Sequence, residues 1–313
     1  MDESAWEHWL ERSGDAALHQ LAPEAAGLFE TLSRSVALPP GPSASIRQAV
    51  ASCMGLVPLG CSPLAVTTAT ETATETETLP GASEASVRFA EQFALDVSII
   101  DDALRSEFLS DSGDSTFGTI QTIWTADMVP RVRSVLDHIF NPSDWKAADP
   151  VEVGDSELWT TVDDFIRVVH NLNGLDPVLS EVVRLRGARE HDCRLCKSLR
   201  SQSALAAGAD EELFDSIDTD GQPGLSDRAR TATALVDAFI WHPTSLPAEL
   251  TARLRQQFEP AQAVELVLDI MRNAANKIAV ALGADAPNVT HGIDIYDIDE
   301  NGVAHYGLEA PQH

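Results

Sequence analysis

Two cysteines three positions apart, Cys193 and Cys196, are the residues whose type and spacing best suit a chemical reaction in this sequence. Side chains at positions i and i+3 lie on one face of a helix, so a helix that begins near Asp192 would bring both sulfurs together. Cys193 would then lie in the first turn, where the positive end of the helix dipole lowers the pKa of a thiol. We therefore predict a redox pair in which Cys196 attacks a mixed disulfide or a sulfenate at Cys193.

Charged residues near the pair favour the same chemistry. Arg194, Lys197 and Arg200 are basic in a chain that is otherwise very acidic, and a cation beside a sulfur stabilises its thiolate. Glu181 precedes the pair on what the sequence predicts to be another helix. If the two helices pack as a hairpin, its carboxylate would face the cysteines and accept a proton. His191 is close enough in sequence to act as a second proton carrier.

Other interpretations of the same residues remain open. Two free cysteines often serve only as small buried side chains. A closed zinc site needs four ligands, whereas His191, Cys193 and Cys196 supply three at most, so we expect no metal. The sequence contains neither a glycine-rich phosphate loop nor a G-x-S-x-G motif, and we therefore expect no nucleotide cofactor and no serine hydrolase.

Two further sequence motifs follow the pattern E-x11-C-x-x-C, which Glu181, Cys193 and Cys196 form. The pattern is followed by A-G-A-D-E-E-L-F, which ends at Phe214, and by an N-K-I-A-V-A-L-G run that closes a long helical stretch over 264–283. This combination resembles the alkylhydroperoxidase D (AhpD-like) and carboxymuconolactone decarboxylase family, over roughly residues 160 to 285.

The resemblance implies an all-helical fold, a trimeric assembly and thiol-based peroxide or disulfide chemistry. In the AhpD branch the second cysteine is the peroxidatic one, and a glutamate and two histidines form a proton relay. Glu181, Cys193 and Cys196 match that pattern. The two histidine positions are occupied here by Leu195 and Arg200, so this chain departs from the family's relay.

Composition restricts the environment and the partners of the chain. Its 313 residues include 49 acidic and 21 basic side chains, which gives a formal net charge of −28. Such a charge repels nucleic acids and anionic membranes, so we expect neither as a partner. No stretch approaches the ~18 apolar residues of a membrane span, and no N-terminal signal pattern is visible. Four cysteines without an export signal indicate a reducing cytoplasm.

Helical periodicity dominates the chain, and the predicted fold class is all-α with a short C-terminal β-hairpin or extended arm. Residues 46–50 resemble 179–183, and 100–108 resemble 250–258, which suggests two degenerate repeats. We predict a first repeat with extra N-terminal helices over 1–140, a linker over 141–157, a second repeat carrying the cysteine pair over 158–285, and an arm over 286–313. The Thr/Glu-rich composition of residues 66–79 predicts a loop.

Three functional hypotheses follow. The first is an AhpD-like thiol-dependent oxidoreductase that needs no cofactor, acts on a small peroxide or disulfide, and is reduced by an external dithiol. Here the catalytic residues would be Cys193, Cys196 and Glu181, assisted by Arg200 and His191. The second is a helical assembly or binding module that has kept the fold and lost the chemistry. The third is a decarboxylase-type enzyme that acts on a lactone acid.

Overall fold

A computed structural model of the chain describes residues 4–36, 42–60, 82–145, 149, 151, 154–219 and 221–311. The described part is mostly α-helical, with a small sheet near the C-terminus, which confirms the predicted fold class. The predicted Thr/Glu loop and Cys61 lie outside the described residues. None of the described helices combines the length and the apolar character that crossing a membrane requires.

The N-terminal half contains seven α-helices among the residues that the structure describes. They are α1 (Ser4–Glu7), α2 (Gly14–Leu21), α3 (Pro23–Ser35), α4 (Pro42–Met54), α5 (Glu84–Leu95), α6 (Asp102–Ser112) and α7 (Thr116–Ile139). Pro23 is the first residue of α3, a position where its missing N–H costs nothing. Pro130 lies inside α7, and the helix continues through it. Val129 and Val132, which lie close to Pro130 in the helix, are fully buried.

The C-terminal half begins with two long helices and then carries several short ones around the cysteine pair. Its helices are α8 (Asp155–His170), α9 (Pro177–Glu190), α10 (Arg194–Lys197), α11 (Gln202–Ala206), α12 (Glu211–Asp215), α13 (Asp227–Trp241), α14 (Ala248–Gln257), α15 (Pro260–Asn273) and α16 (Asn276–Ala281). Helix α8 starts inside the predicted linker, because the side chain of Glu157 accepts the backbone N–H of Gly154 and caps the helix there.

The sheet has three strands, β1 (Leu199–Ser201), β2 (Asp294–Ile298) and β3 (Ala304–Tyr306), in the order β1-β2-β3. β2 and β3 are antiparallel and form the predicted hairpin, with Gly302 at φ 73° in its turn. β1 follows the cysteine pair directly and pairs with β2 in parallel. This strand was not predicted from the sequence. It attaches the C-terminal arm to the segment that carries the cysteines.

The two halves share one hydrophobic core and have the same order of packing. α4 packs on α5 and α7 as α9 packs on α13 and α15, and α3 contacts α7 as α8 contacts α15. The contacts between the halves are reciprocal as well. Arg105 in α6 donates to the carbonyl of Ala281 at 2.9 Å, and Arg255 in α14 donates to the carbonyl of Ile139 at 3.1 Å. The duplication remains a hypothesis, which this correspondence supports.

A buried charge cluster joins the halves at their centre. Lys277 of α16 donates to Asp127 of α7 at 2.6 Å, and Arg131 donates to the other oxygen of the same carboxylate at 2.6 Å. All three side chains are at most 3% exposed. Because two cations meet one carboxylate away from water, the register between α7 and α16 is tightly specified.

Candidate functional site

The cysteine pair lies at a tight turn between α9 and the short helix α10. Asp192 adopts a left-handed conformation, with φ 52°, which a short polar side chain tolerates better than most. Cys193 is then the N-cap of α10, and Cys196 lies within that helix. Asp285 holds the helix from the C-terminal half, since its carboxylate accepts the backbone N–H of Arg194 at 2.8 Å and pairs with its guanidinium.

The two sulfurs meet on one turn, as their spacing predicted. The backbone N–H of Cys196 donates to Sγ of Cys193 at 3.2 Å. Cys193 is fully buried, whereas Cys196 is half-buried. Cys193 keeps its proton and shares it with the sulfur of Cys196, and this hydrogen bond lowers the pKa of Cys196 to about 7. The same hydrogen bond, together with burial, raises the pKa of Cys193.

The lowered pKa of Cys196 and the raised pKa of Cys193 favour Cys196 as the thiolate of the pair, whereas the sequence led us to expect Cys193. The expectation assumed a helix dipole acting on Cys193. Helix α10 has only four residues and supplies a small dipole, while the N-cap position places Cys193 in the apolar core. The assignment agrees with what the family resemblance implied for the second cysteine.

Arg184 is the cation that acts on Cys196. Its charge favours the thiolate, and its Nη1 donates to the carbonyl oxygen of Cys196 at 2.9 Å. Glu181 holds Arg184 in place, because its two carboxylate oxygens each accept a hydrogen bond of 2.6 Å from that guanidinium. The carboxylate also accepts from the backbone N–H of Ser201 and the hydroxyl of Tyr296, both at 3.1 Å.

Glu181 therefore lies beside the cysteine segment, as the predicted helical hairpin required, but it acts on the pair through Arg184. It is 2% exposed, and its recorded partners are all nitrogen or oxygen donors. Neither sulfur is among its hydrogen-bond partners in the described residues. A buried carboxylate with several charge-assisted hydrogen bonds is a rigid support for the arginine.

Asn276 reaches Cys196 from the other side. Its Nδ2 donates to Sγ of Cys196 at 3.6 Å, a contact that also lowers the pKa of the thiol. Its Oδ1 is 3.1 Å from Nδ1 of His191. Burial keeps the pKa of His191 well below its ordinary value, so the ring is neutral. With the proton assigned to Nδ1, His191 fixes the amide in the orientation that points its N–H group at the sulfur.

The three basic residues adjacent to the cysteines have other partners. The guanidinium of Arg200 makes two hydrogen bonds to Glu211, at 2.8 and 2.9 Å, and its Cζ lies 5.4 Å from the ring centroid of Phe214. Arg194 pairs with Asp285, and Lys197 pairs with Asp192. The thiolate stabilisation that was predicted for Arg200 comes from Arg184 instead.

A polar cavity of about 260 Å³ lies on the far side of Glu181 and Arg184. Glu265 lines it and accepts the backbone N–H groups of Gly174 and Leu175, and burial raises the pKa of Glu265 to about 7. The residues that line this cavity do not include either cysteine. In the described part of the chain, no group of three or more His, Cys, Asp or Glu side chains has an arrangement that would hold a metal ion.

Sequence reasoning missed Arg184, Asn276 and Tyr296. Signals for two of them existed. Arg184 lies three residues after Glu181, the spacing of a helical ion pair, and Asn276 begins the N-K-I-A run that resembles the family's closing helix. Tyr296 had no such signal, because only the tertiary fold brings the C-terminal hairpin to Glu181.

Comparison with known proteins places the chain in a family. No family model matches it, and no solved structure matches it either. It is 38% identical over 293 residues to two proteins of Mycobacterium tuberculosis, "Uncharacterized protein Rv2313c" of strain H37Rv and "Uncharacterized protein MT2376" of strain CDC 1551. The alignment covers 91% of this chain and 100% of each relative. The chain therefore belongs to the same family as these mycobacterial proteins.

Proposed function

We propose that the chain is a thiol-dependent oxidoreductase of the AhpD-like type, in which Cys196 is the nucleophile and Cys193 the resolving thiol. One observation carries the proposal. A thiol whose pKa is lowered to about 7 lies on the same helical turn as a second thiol, whose sulfur accepts the backbone N–H of the first at 3.2 Å. A nucleophilic thiol is most effective when its pKa is close to the working pH, and a resolving thiol must lie within reach.

In the proposed reaction the thiolate of Cys196 attacks the terminal oxygen of a hydroperoxide. The O–O bond breaks, Cys196 becomes a sulfenic acid, and the alkoxide takes a proton from water to leave as an alcohol. The thiol of Cys193 then attacks the sulfenic sulfur, which forms the Cys193–Cys196 disulfide and releases water. An external dithiol restores the pair by thiol–disulfide exchange and leaves as its own disulfide. With a disulfide as substrate, the first step gives a mixed disulfide at Cys196.

The surrounding residues support this chemistry by position and charge. Arg184 stabilises the thiolate of Cys196, and Glu181 keeps that cation fixed. Asn276 donates to the same sulfur. The external dithiol would attack the sulfur of Cys196, because Cys193 is fully buried. We further propose a cytoplasmic location, which matches the acidic composition and the free thiols, and a homo-oligomer.

The alternative is a helical binding module that has lost the chemistry. Full burial of Cys193 favours it, and so do Leu195 and Arg200 at the positions of the family's relay histidines. The decarboxylase-type alternative has no observation of its own in its favour, since the pair of thiols belongs to the redox branch.

The test is stoichiometric oxidation of the full chain with tert-butyl hydroperoxide, followed by peptide mass spectrometry. The wild-type chain should form a Cys193–Cys196 disulfide, and Cys193→Ser should accumulate a sulfenic acid at Cys196 that a dimedone probe traps. Cys53→Ser is the matched control, because burial raises the pKa of that thiol to about 11 and its loss should change nothing. A variant with serine at both 193 and 196 that consumes peroxide as fast as the wild type would overturn the proposal. A pair that stays reduced would support the binding module.

A further inference from the structure

A second cavity, of about 480 Å³, is lined by residues of the N-terminal half and by Thr244, and neither cysteine of the pair lines it. It is bounded by the segment that follows α4 and by the C-terminal part of α7. Leu56, Pro58 and Trp145 contribute apolar surface, and Arg133 and Asp137 contribute charge. This volume falls within the ~300–1,000 Å³ range of small-molecule sites, which combine apolar walls with a few polar groups.

Arg133 is the unusual residue of this cavity. Its Nε–H is buried and has no hydrogen-bond partner in the described part of the chain. Burial lowers the pKa of Arg133 to about 10, so the guanidinium is still charged at neutral pH. Asp15, Asp137 and Glu30 act on it only through space. A desolvated cation without a paired anion is costly, and an anion in the cavity would relieve that cost.

Some buried or half-buried arginines of the described chain pair with carboxylates, and others, such as Arg255, donate to backbone carbonyls. Arg131 pairs with Asp127 at 2.6 Å, and Arg184 pairs with Glu181 at 2.6 Å. The chain has 49 acidic residues available for such pairs. Among the arginines of the described residues, Arg133 is set apart by a buried Nε–H that has neither a carboxylate nor a carbonyl as its partner.

The carboxylate closest to this arginine in sequence is engaged elsewhere. Asp137 accepts hydrogen bonds from the hydroxyl of Ser143 at 2.6 Å and from the indole N–H of Trp145 at 2.9 Å. These bonds hold the indole in place, and the guanidinium carbon of Arg133 lies 5.2 Å from its ring centroid. The stacking orients the guanidinium and leaves its N–H groups for a ligand.

We propose that this cavity binds a small organic carboxylate with an apolar body. A guanidinium can receive a carboxylate through two parallel hydrogen bonds, which gives both affinity and orientation. The indole of Trp145, with Leu56 and Pro58, supplies the surface on which the apolar body packs. This site is separate from the proposed thiol chemistry, and neither depends on the other.

The test is isothermal titration calorimetry of the full chain with three probes: benzoate, the neutral isostere benzamide, and inorganic phosphate. Benzoate should bind saturably to the wild-type chain, and each of the other two should bind at least tenfold more weakly. Arg133→Gln should weaken benzoate binding by about ten- to a hundredfold, the effect of losing a hydrogen bond to a charged group. Arg12→Gln, which removes an exposed arginine that is not among the residues lining this cavity, should leave the affinity unchanged.

Two further variants keep the test decisive. Arg133→Lys preserves the charge but not the forked geometry, and it should fall between the wild type and Arg133→Gln; it serves if Arg133→Gln does not fold. Trp145→Phe should weaken benzoate more than phosphate. Equal binding of benzoate and benzamide, phosphate binding as tight as benzoate, unchanged affinity in both Arg133 variants, or no saturable heat from benzoate would each overturn the proposal.

Discussion

Replacing Cys193 by alanine should raise the pKa of the Cys196 thiol from about 7 toward its ordinary value of 9.0. The hydrogen bond from Cys193 is the largest contribution that favours the thiolate, and alanine removes it. Arg184 and Asn276 continue to favour the thiolate, but burial of Cys196 opposes them. In the Cys193→Ala variant, Cys196 is therefore a half-buried thiol whose pKa is close to the ordinary value.

The size of the effect follows from this shift. A change of about two pKa units corresponds to about a hundredfold change in the ratio of thiolate to thiol. At pH 7 the thiolate fraction of Cys196 should therefore fall from roughly one half to about 1%. The rate of alkylation falls by less, because a thiolate of higher pKa is the stronger nucleophile. The midpoint of the pH profile is for this reason a sharper readout than the rate at one pH.

The assay is alkylation by iodoacetamide from about pH 5 to pH 11, with Cys196 quantified at the peptide level by mass spectrometry. Cys193→Ser retains a hydroxyl donor and should raise the midpoint by less than Cys193→Ala. Cys53→Ala should leave it at the wild-type value. If the wild-type midpoint is already near 9, or if Cys193→Ala leaves it where it was, then the account of the shared proton is wrong.

Three other perturbations test the parts of the fold that hold the site. Asp127→Asn should lower the free energy of unfolding by about 3–5 kcal/mol in urea denaturation, because it leaves the buried cations Lys277 and Arg131 without their carboxylate. A loss below about 1 kcal/mol would contradict this expectation. Tyr296→Phe should cost about 1–3 kcal/mol by removing a donor to the buried Glu181, and an unchanged denaturation midpoint would show that this hydrogen bond contributes nothing. Glu265 has a pKa raised from 4.5 to about 7 by burial, so the folded state binds its proton more tightly than the unfolded state. Its contribution to stability is therefore complete below pH 4.5 and is lost as the pH rises to 7; Glu265→Gln should flatten the fall in Tm over that interval, and a variant that keeps the wild-type slope would refute the assignment.

Local patterns were sufficient for much of the secondary structure. Helical periodicity predicted an all-α chain with a short C-terminal β-hairpin or extended arm, and β2 and β3 form that hairpin around Asn301 and Gly302. The strand β1 was missed because three residues after a short helix carry no periodic signal of their own. Helix α7 continues through Pro130, close to which Val129 and Val132 are fully buried.

The amino-acid sequence by itself determined that two thiols meet on one turn and that Glu181 lies on the helix before them, because spacing along a helix sets which side chains share a face. The tertiary structure alone decided which thiol has the lower pKa. Burial and hydrogen bonds depend on the three-dimensional surroundings of a group. The hydrogen bond between the two thiols, together with burial, raises the pKa of Cys193, and the same hydrogen bond lowers the pKa of Cys196. The tertiary structure also places Arg184 beside Cys196, and it brings Asn276, which is 80 residues away along the chain, to the sulfur of Cys196.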